Sequence, residues 1–436
     1  MDTTRVDFRR MPSTELEPRR DEARALGRLA FDELRDAAGG IGAIHRGIAD
    51  RVFRLAGPSA RSVEVAHNTI AGTVYATVGG AFGAVGRAAD TALELSGATA
   101  QTRVSSTPRG AAVIAAIAGL IGDRLEEDGS PLVAPMAVRV AGEPVTPDRD
   151  SLAAAFPGAT PRVVVFLHGL MESEFAWRLG AGPSGETYGS RLAADLGCTP
   201  VYVRYNTGRH ISENGRVLAD LLEQLVAEWP VPVSEVALVG HSMGALVARS
   251  ACHYAGPDAR WTRRVRHVVS LGTPHMGAPL EQAVHYASAA LSALPETRPF
   301  GSFLRRRSAG IRDLRQGSLV DEDWRDRHPD ALKAAVCQEI PLLDGATHCF
   351  VAATVTRNPR HPVGRLIGDW LVLEASASGR SRARRIAFKA EHGMHVGGAG
   401  HLALLNHPAV YPRLREWLAT PPPAPPRRRL LSRGRS

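Results

Sequence analysis

The stretch V-A-L-V-G-H-S-M-G-A-L-V-A at residues 236–248 decides the fold, because an apolar run passes through a glycine-flanked serine into a run of small residues. This pattern is typical of a buried β-strand that turns sharply into a helix. Glycine two positions before and two positions after Ser242 leaves room that a side chain would fill. Ser242 is therefore predicted to project from a strained strand-to-helix turn, as a nucleophilic serine does.

Short β-type runs alternate with helical stretches from about residue 132 onwards. The alternation predicts an α/β fold in which an eight-stranded, mostly parallel sheet is flanked by helices. The first two runs are expected to pair as a hairpin around Ala141-Gly142. The predicted strands lie at residues 136–140, 143–145, 163–167, 201–205, 236–239, 268–271, 349–354 and 386–390.

The domain boundaries follow from changes in these patterns. A connection of about 75 residues, 272–347, separates the sixth and seventh strands and far exceeds an ordinary loop, so we expect a helical cap insertion at about 278–345. This cap would belong to a catalytic domain at 131–420. Residues 1–130 are predicted to form an N-terminal helical region of undefined purpose. Residues 421–436, rich in proline and arginine, are predicted to form a disordered tail.

The charge of the chain narrows its range of partners. The net charge is +9, and five arginines among the last ten residues carry more than half of it. No groove-reading motif accompanies this charge, which argues against nucleic acid as a partner. Residues 65–86 are uncharged over a length that could cross a bilayer, yet they include histidine, asparagine, threonines and glycines. We therefore favour a packed helical segment there over a membrane-surface or transmembrane helix, and peripheral membrane association stays open.

The N-terminus favours a cytoplasmic location, and the cysteines show no paired pattern. Residues 1–20 mix acids with arginines and contain no apolar core, so no secretory signal is expected. The cysteines are widely spaced and are predicted to be buried free thiols, at Cys198, Cys252, Cys337 and Cys349.

A nucleophilic serine needs an imidazole base, and the base needs a carboxylate to fix its tautomer. Asp369 follows the seventh predicted strand, and His401 follows the eighth in a glycine-rich loop. Ser242, Asp369 and His401 would thus meet at the edge where the parallel strands end. The order Ser, Asp, His along the chain is that of α/β-hydrolases. Asp344 and His407 are rivals, but Asp344 precedes its strand and His407 precedes a proline.

An acyl-transfer site also needs backbone N–H groups to stabilise an oxyanion. Met243 follows the serine and is predicted to supply one N–H. Leu170, after the third strand, is predicted to supply the other, with Gly169 allowing the backbone to approach the substrate. His168, His241 and His275 are expected to line the wall of the site without taking part in catalysis.

Together these motifs resemble bacterial lipase-like α/β-hydrolases related to the GPI inositol-deacylase family. The resemblance covers about residues 130–418. In this family the acid commonly stands in G-D-G-L-V, and here Trp370 replaces the second glycine. The matching motifs are V-V-V-F-L-H-G-L-M-E-S-E-F-A-W at 163–177, Y-N-T-G-R-H-I-S-E-N-G-R at 205–216, G-H-S-M-G at 240–244, G-T-P-H-M-G at 272–277, G-S-L-V-D-E-D-W at 317–324, G-D-W-L-V at 368–372 and G-H-L-A-L-L-N-H-P-A-V-Y at 400–411.

The resemblance implies a serine esterase or lipase that cleaves a carboxylic ester, possibly of a lipid, through an acyl-enzyme. No cofactor is implied, and the sequence offers no convincing metal-ligand cluster. Two alternatives stay open. The same triad could transfer the acyl group to an alcohol or amine, which makes the protein an acyltransferase. The chain could also be a membrane-associated scaffold with an inactive hydrolase core.

Overall fold

The structure is a computed structural model of the 436-residue chain. Four positions near the N-terminus are described, Glu22, Ala25, Leu26 and Leu29. The other described residues are 103–133, 135–256, 258–278, 307–327, 337–358, 361, 362, 365, 368–381 and 384–420.

The centre of the structure is one eight-stranded sheet with the order β2-β1-β4-β3-β5-β6-β7-β8. Strand β1 runs antiparallel to β2 and β4, and all other neighbouring strands are parallel. The predicted eight-stranded, mostly parallel sheet is therefore confirmed. Its strands are β1 Ala137–Val140, β2 Glu143–Val145, β3 Arg162–Leu167, β4 Thr199–Arg204, β5 Glu235–His241, β6 Val265–Leu271, β7 Thr347–Thr354 and β8 Gly393–Gly397.

Helices cover both faces of this sheet. They are α1 Pro108–Glu127, α2 Arg149–Ala155, α3 Tyr188–Leu196, α4 Ile211–Glu228, α5 Met243–Tyr254, α6 Ala309–Leu314, α7 Glu374–Ala377 and α8 Val410–Ala419. Alternate residues of β3 enter opposite cores, because successive side chains on a strand point to opposite faces. Val165 packs with residues of α4 and α5, whereas Phe166 packs with residues of α3 and α8. A strand buried on both faces reads as the continuous apolar run seen in the sequence.

The eighth strand lies later in the chain than predicted. Residues 386–390 do not pair with β7, and this expectation is wrong; β8 pairs in parallel with β7 from the Phe350–Gly393 pair onwards. The rings of Phe388 and Phe350 lie 5.3 Å apart, so the apolar residues at 386–390 serve core packing. Gly393 admits the ring of Phe350, since a Cβ there would lie 2.4 Å from its Cζ.

Most of the predicted N-terminal region lies outside the described residues, as do residues 65–86 and the tail at 421–436. Residues 279–306 and 328–336 of the expected cap also lie outside them. Within the described part of the chain, no helix has both the length and the hydropathy to cross a membrane.

Helix α1 contacts the loops that follow β3 and β4. Its Val113 and Leu120 are exposed, whereas the buried face carries several small residues. A Cβ at Gly119 would lie 2.3 Å from Cγ of Met171, and one at Gly122 would lie 2.2 Å from Oδ1 of Asn206. The small residues therefore let α1 pack closely against both loops.

Helices α4 and α5 also pack closely, and Gly215 makes this contact sensitive to substitution. A Cβ at Gly215 would lie 2.2 Å from Oγ and 2.6 Å from Cβ of Ser250. We expect Gly215→Ala to lower the free energy of unfolding by about 1–3 kcal/mol through overpacking, as measured by urea denaturation. Gly158→Ala is the matched control, because no atom lies within 4 Å of the added methyl group. Equal stability of the two variants would contradict this account of the helix contact.

Candidate active site

Ser242 stands between β5 and α5 with a left-handed backbone, φ 52° and ψ −119°. A non-glycine residue in such a conformation is strained and persists only when its surroundings enforce it. The flanking glycines are part of that enforcement. A Cβ at Gly240 would lie 2.3 Å from the nitrogen of Ala245, and one at Gly244 would lie 2.3 Å from the carbonyl oxygen of Leu167.

A buried carboxylate and imidazole lie at the same edge of the sheet. His401 Nδ1 donates to Asp369 Oδ2 at 2.8 Å, and Asp369 and His401 are only 1% and 6% exposed. The backbone of His401 also donates to the Asp369 carbonyl at 2.9 Å. Asp369 Oδ1 accepts hydrogen bonds from the amides of Leu371 and Val372 at 3.0 and 2.8 Å. The carboxylate is thus held in place and can fix the tautomer of the imidazole.

The end of β6 connects this pair to the serine. The amide of Ser242 donates to the carbonyl of Leu271 at 2.8 Å. The next residue, Gly272, has φ 59°, and a Cβ there would lie 3.2 Å from both Cε1 and Nδ1 of His401. Asp344 instead lies before the start of β7, away from this edge.

The loop that carries Asp369 keeps a glycine-like backbone conformation, although Trp370 stands where the family commonly has glycine. Trp370 adopts φ 85°, and its side chain is 66% exposed. Gly368, with φ 66°, leaves no room for a Cβ beside the Val372 carbonyl. The backbone therefore follows the path that the glycine of the G-D-G-L-V motif would allow, and the indole points outwards.

The loop after β3 approaches the serine closely. A Cβ at Gly169 would lie 3.0 Å from the Cβ of Ser242. The amide of Gly169 donates to Glu172 Oε2 at 2.7 Å, and that of Met171 donates to Thr207 Oγ1 at 3.3 Å. Between them, the Leu170 amide has no hydrogen-bond acceptor among the described residues. Its N–H and that of Met243, at the first position of α5, are the two predicted oxyanion donors.

His168 holds this loop from inside the fold. Its ring is fully buried and stacks on Tyr205 with the ring centroids 4.4 Å apart. The amide of Tyr205 donates to Nε2 of His168 at 3.3 Å, and the Tyr205 hydroxyl donates to the His168 carbonyl at 2.7 Å. Burial lowers the pKa of His168, so this ring is neutral.

His275 was expected in the wall of the site, but the structure does not bring it to the triad. The chain turns inwards after β6, and the side chain is fully buried. Its Nδ1 lies 3.3 Å from Nη1 of Arg249, and its ring lies 5.1 Å from that of Phe388. His275 therefore packs in the interior, and none of its described contacts involves Ser242, Asp369 or His401.

Residues 159–293 match a family model described as PGAP1-like alpha/beta domain. The chain carries a PGAP1-like α/β domain. The eight-stranded, mostly parallel sheet and the strand-to-helix turn at Ser242 are those of an α/β-hydrolase. The resemblance seen in the sequence is thus confirmed for the PGAP1-like stretch at residues 159–293 and for the fold.

Several solved structures are similar to the chain. The propeptide form of the lipase BlEst2 from Bacillus licheniformis is 19% identical over 61% of this chain and 51% of its own, with a TM-score of 0.40. Its mature form is 20% identical over 58% and 91%, with a TM-score of 0.38. Lipase B from Aspergillus fumigatus is 13% identical over 60% and 53%, with a TM-score of 0.35. The match thus spans about half the length of the propeptide form. Among curated proteins, no sequence match was found.

The PGAP1-like domain contains a second buried histidine–carboxylate pair that the sequence did not reveal. His241 Nδ1 lies 2.9 Å from Oε1 of Glu172, and His241 Nε2 lies 3.3 Å from the carbonyl of His401. Glu172 also accepts from the amide of Gly169. The pair therefore joins the loop after β3, the serine turn and the histidine loop.

The directions of both pKa shifts favour the charged form of this pair. Burial lowers the pKa of His241, but the charge and hydrogen bond of Glu172 outweigh it and raise the pKa above its usual 6.5. Burial raises the pKa of Glu172, but His241 and the Gly169 amide outweigh it and lower the pKa below its usual 4.5. The only sequence sign of Glu172 was its place in the motif at 163–177, because its partner lies 69 positions away.

The stability contributed by this pair should depend on pH. The lowered pKa of Glu172 contributes stability above pH 4.5, which is lost as the pH falls through that pKa. The raised pKa of His241 contributes stability below pH 6.5, which is lost as the pH rises through that pKa. Both contributions are present in full between these values. We expect Glu172→Gln to cost about 3 kcal/mol in urea unfolding at pH 6, where a buried pair is broken, and about 1 kcal/mol at pH 9.

Glu223→Gln is the matched control, because Glu223 pairs with Arg260 at a solvent-exposed site. Its effect should be small and nearly equal at both pH values. An equal loss of stability for Glu172→Gln at pH 6 and pH 9 would show that the buried pair is not charged.

Proposed function

We propose that the protein is a serine esterase or lipase that hydrolyses a carboxylic ester through an acyl-enzyme. The observation that carries the proposal is the buried 2.8 Å hydrogen bond between His401 and Asp369, at the edge where the strained Ser242 also lies. A buried carboxylate on Nδ1 of an imidazole leaves Nε2 unprotonated and able to act as a base.

In the proposed first step, Ser242 Oγ attacks the ester carbonyl while His401 Nε2 takes the hydroxyl proton. Asp369 stabilises the imidazolium without being protonated. The amides of Leu170 and Met243 stabilise the oxyanion of the tetrahedral intermediate. The intermediate collapses with cleavage of the ester C–O bond, and the proton on His401 passes to the leaving alcohol.

In the second step, His401 takes a proton from water, which attacks the acyl-enzyme carbonyl. Collapse of this second intermediate breaks the bond to Ser242 Oγ and releases the acid. The serine regains its proton from the imidazolium, so the enzyme returns to its starting state. None of these steps requires a cofactor.

Exposed apolar side chains beside the acid and the base favour a substrate with an acyl chain. Trp370 and Leu371 follow Asp369 and are 66% and 38% exposed, and Leu402 follows His401 and is 52% exposed. Large apolar side chains grouped on a surface mark a contact with an apolar partner. The class of substrate that fits them is an ester with an aliphatic acyl group, such as that of a lipid.

The nucleophile is tested with aryl esters whose acyl groups range from two to sixteen carbons. We expect the wild-type protein to cleave short or medium chains. Ser242→Ala should be inactive, because it lacks the attacking oxygen, and should fail to react with a fluorophosphonate probe. Ser234→Ala, on an exposed loop, is the matched control and should keep full activity. Comparable turnover by Ser242→Ala and wild type would remove the assignment.

The acid is tested by exchanging a carboxylate for an amide. Asp369→Asn should lower kcat by roughly 10²–10⁴-fold, because an amide cannot hold the imidazole tautomer or stabilise its positive charge. Asp344→Asn is the matched control, since Asp344 is an exposed acid before β7, and we expect its kcat to stay within about twofold of wild type. If Asp344→Asn were the variant with the large loss, the triad would need a different acid.

A further inference from the structure

A cavity of about 570 Å³ lies at the opposite edge of the sheet from Ser242. The segment that precedes β7 and the first residues of that strand form part of its wall, whereas the triad lies where the parallel strands end. Helix α5 links the two regions, because Arg249 reaches the cavity about 10 Å along the helix from Ser242 at 1.5 Å per residue. The cavity is therefore separate from the candidate active site.

Arg249 is a buried cation in the wall of this cavity. It is 5% exposed, and its Nη2 donates to the carbonyl of Ile340 at 3.1 Å. Its Nη1 lies 3.3 Å from Nδ1 of His275, and its Nε has no hydrogen-bond partner among the described residues. Both partners of Arg249 are neutral groups, since burial and the charge of Arg249 lower the pKa of His275 well below its usual value.

The charge on Arg249 has no counter-ion in the described part of the chain. Burial, followed by the positive charge of Arg384, lowers the pKa of Arg249 to about 10. Arg249 is therefore still charged at neutral pH. A buried charge without a partner is costly, so this position favours an anion.

A second cation stands beside Arg249 in the same cavity. Arg384 lines the cavity and donates to the carbonyl of His275 at 2.7 Å, and no described carboxylate pairs with it. The acids that line the cavity, Glu339 and Asp344, are exposed, and neither forms an ion pair with an arginine of the described ranges. The two guanidinium groups therefore present donors that suit a carboxylate or a phosphate.

The rest of the wall suits an apolar body. Leu319, Ile340 and Ile386 are buried and line the cavity together with Leu342 and Leu343. His348 adds a neutral ring, because burial and Arg249 lower its pKa to about 4. The volume of the cavity lies in the range of small-molecule sites.

We propose that this cavity binds an organic anion, whose carboxylate or phosphate group sits on Arg249 and Arg384 and whose apolar part lies against the leucine and isoleucine wall. The oxyanion supplies the negative charge that no described residue provides to the two arginines, and the Nε–H of Arg249 gains an acceptor that the described residues do not offer. Such a site is independent of ester hydrolysis and needs no chemistry at Ser242.

Isothermal titration of the full chain tests this proposal, with octyl phosphate and octanoate as separate probes and octyl glucoside as the neutral probe. At least one anion should bind the wild type and Ser242→Ala with equal Kd, because the site does not involve the serine. The better anion identifies the acid group. Octyl glucoside should bind at least tenfold more weakly than that anion.

Arg249→Met removes the charge and keeps the length of the side chain. We expect it to weaken binding of the anion about tenfold or more, the loss that corresponds to one charge-assisted hydrogen bond. Arg384→Gln should weaken binding about threefold or more. Arg260→Met is the matched control, because Arg260 is exposed and paired with Glu223, and its Kd should equal that of the wild type.

An unchanged Kd in Arg249→Met, equal binding of octyl glucoside, or no binding of either anion would overturn the proposal. If Arg249→Met fails to fold, as judged by circular dichroism, the Kd of Arg384→Gln for the anion tests the proposal instead. An unchanged Kd in that variant would likewise overturn the proposal.

Discussion

The left-handed backbone of Ser242 is the constraint on which the rest of the site depends. It holds only because Gly240 and Gly244 let β3 and α5 press against the turn, and because the Ser242 amide bonds to the end of β6. A parallel sheet brings the ends of its strands to one edge, so Asp369 and His401, which follow β7 and β8, lie at the same edge as Ser242. The core strands are buried on both faces, and their packing supplies the rigidity that the strained turn requires.

Two buried histidine–carboxylate pairs surround that turn, and they have different tasks. In our proposal the His401–Asp369 pair moves the proton. The His241–Glu172 pair fixes the loop that carries the Leu170 amide and also reaches the backbone of His401. Groups held in place before the substrate arrives need no reorganisation during the reaction, which is the main source of electrostatic catalysis.

The two edges of the sheet have contrasting chemistry. Apolar side chains are exposed beside Asp369 and His401, whereas the buried Arg249 and the half-buried Arg384, which have no counter-ion among the described residues, line the cavity at the opposite edge. Helix α5 belongs to both, because it starts at the serine turn and carries Arg249. Helix α1 packs at the edge of Ser242, where its glycines leave space for Met171 and Asn206 and so support the loop beside Gly169.

The sequence by itself determined the α/β fold, seven of the strands to within a few residues, and the serine turn, since buried parallel strands are continuous apolar runs and the turn demands its glycines. It also predicted that Asp369 and His401 lie at the edge of Ser242, because the order of strands along the chain fixes which loops share an edge. Only the tertiary structure located β8, because its glycine-rich sequence has no strand pattern. This strand pairs with β7 because Gly393 leaves space for the ring of Phe350. It alone revealed the His241–Glu172 pair, because a contact between residues far apart in the chain leaves no periodic pattern in the sequence. It alone revealed the buried charge of Arg249 as well, because burial is a property of the folded chain.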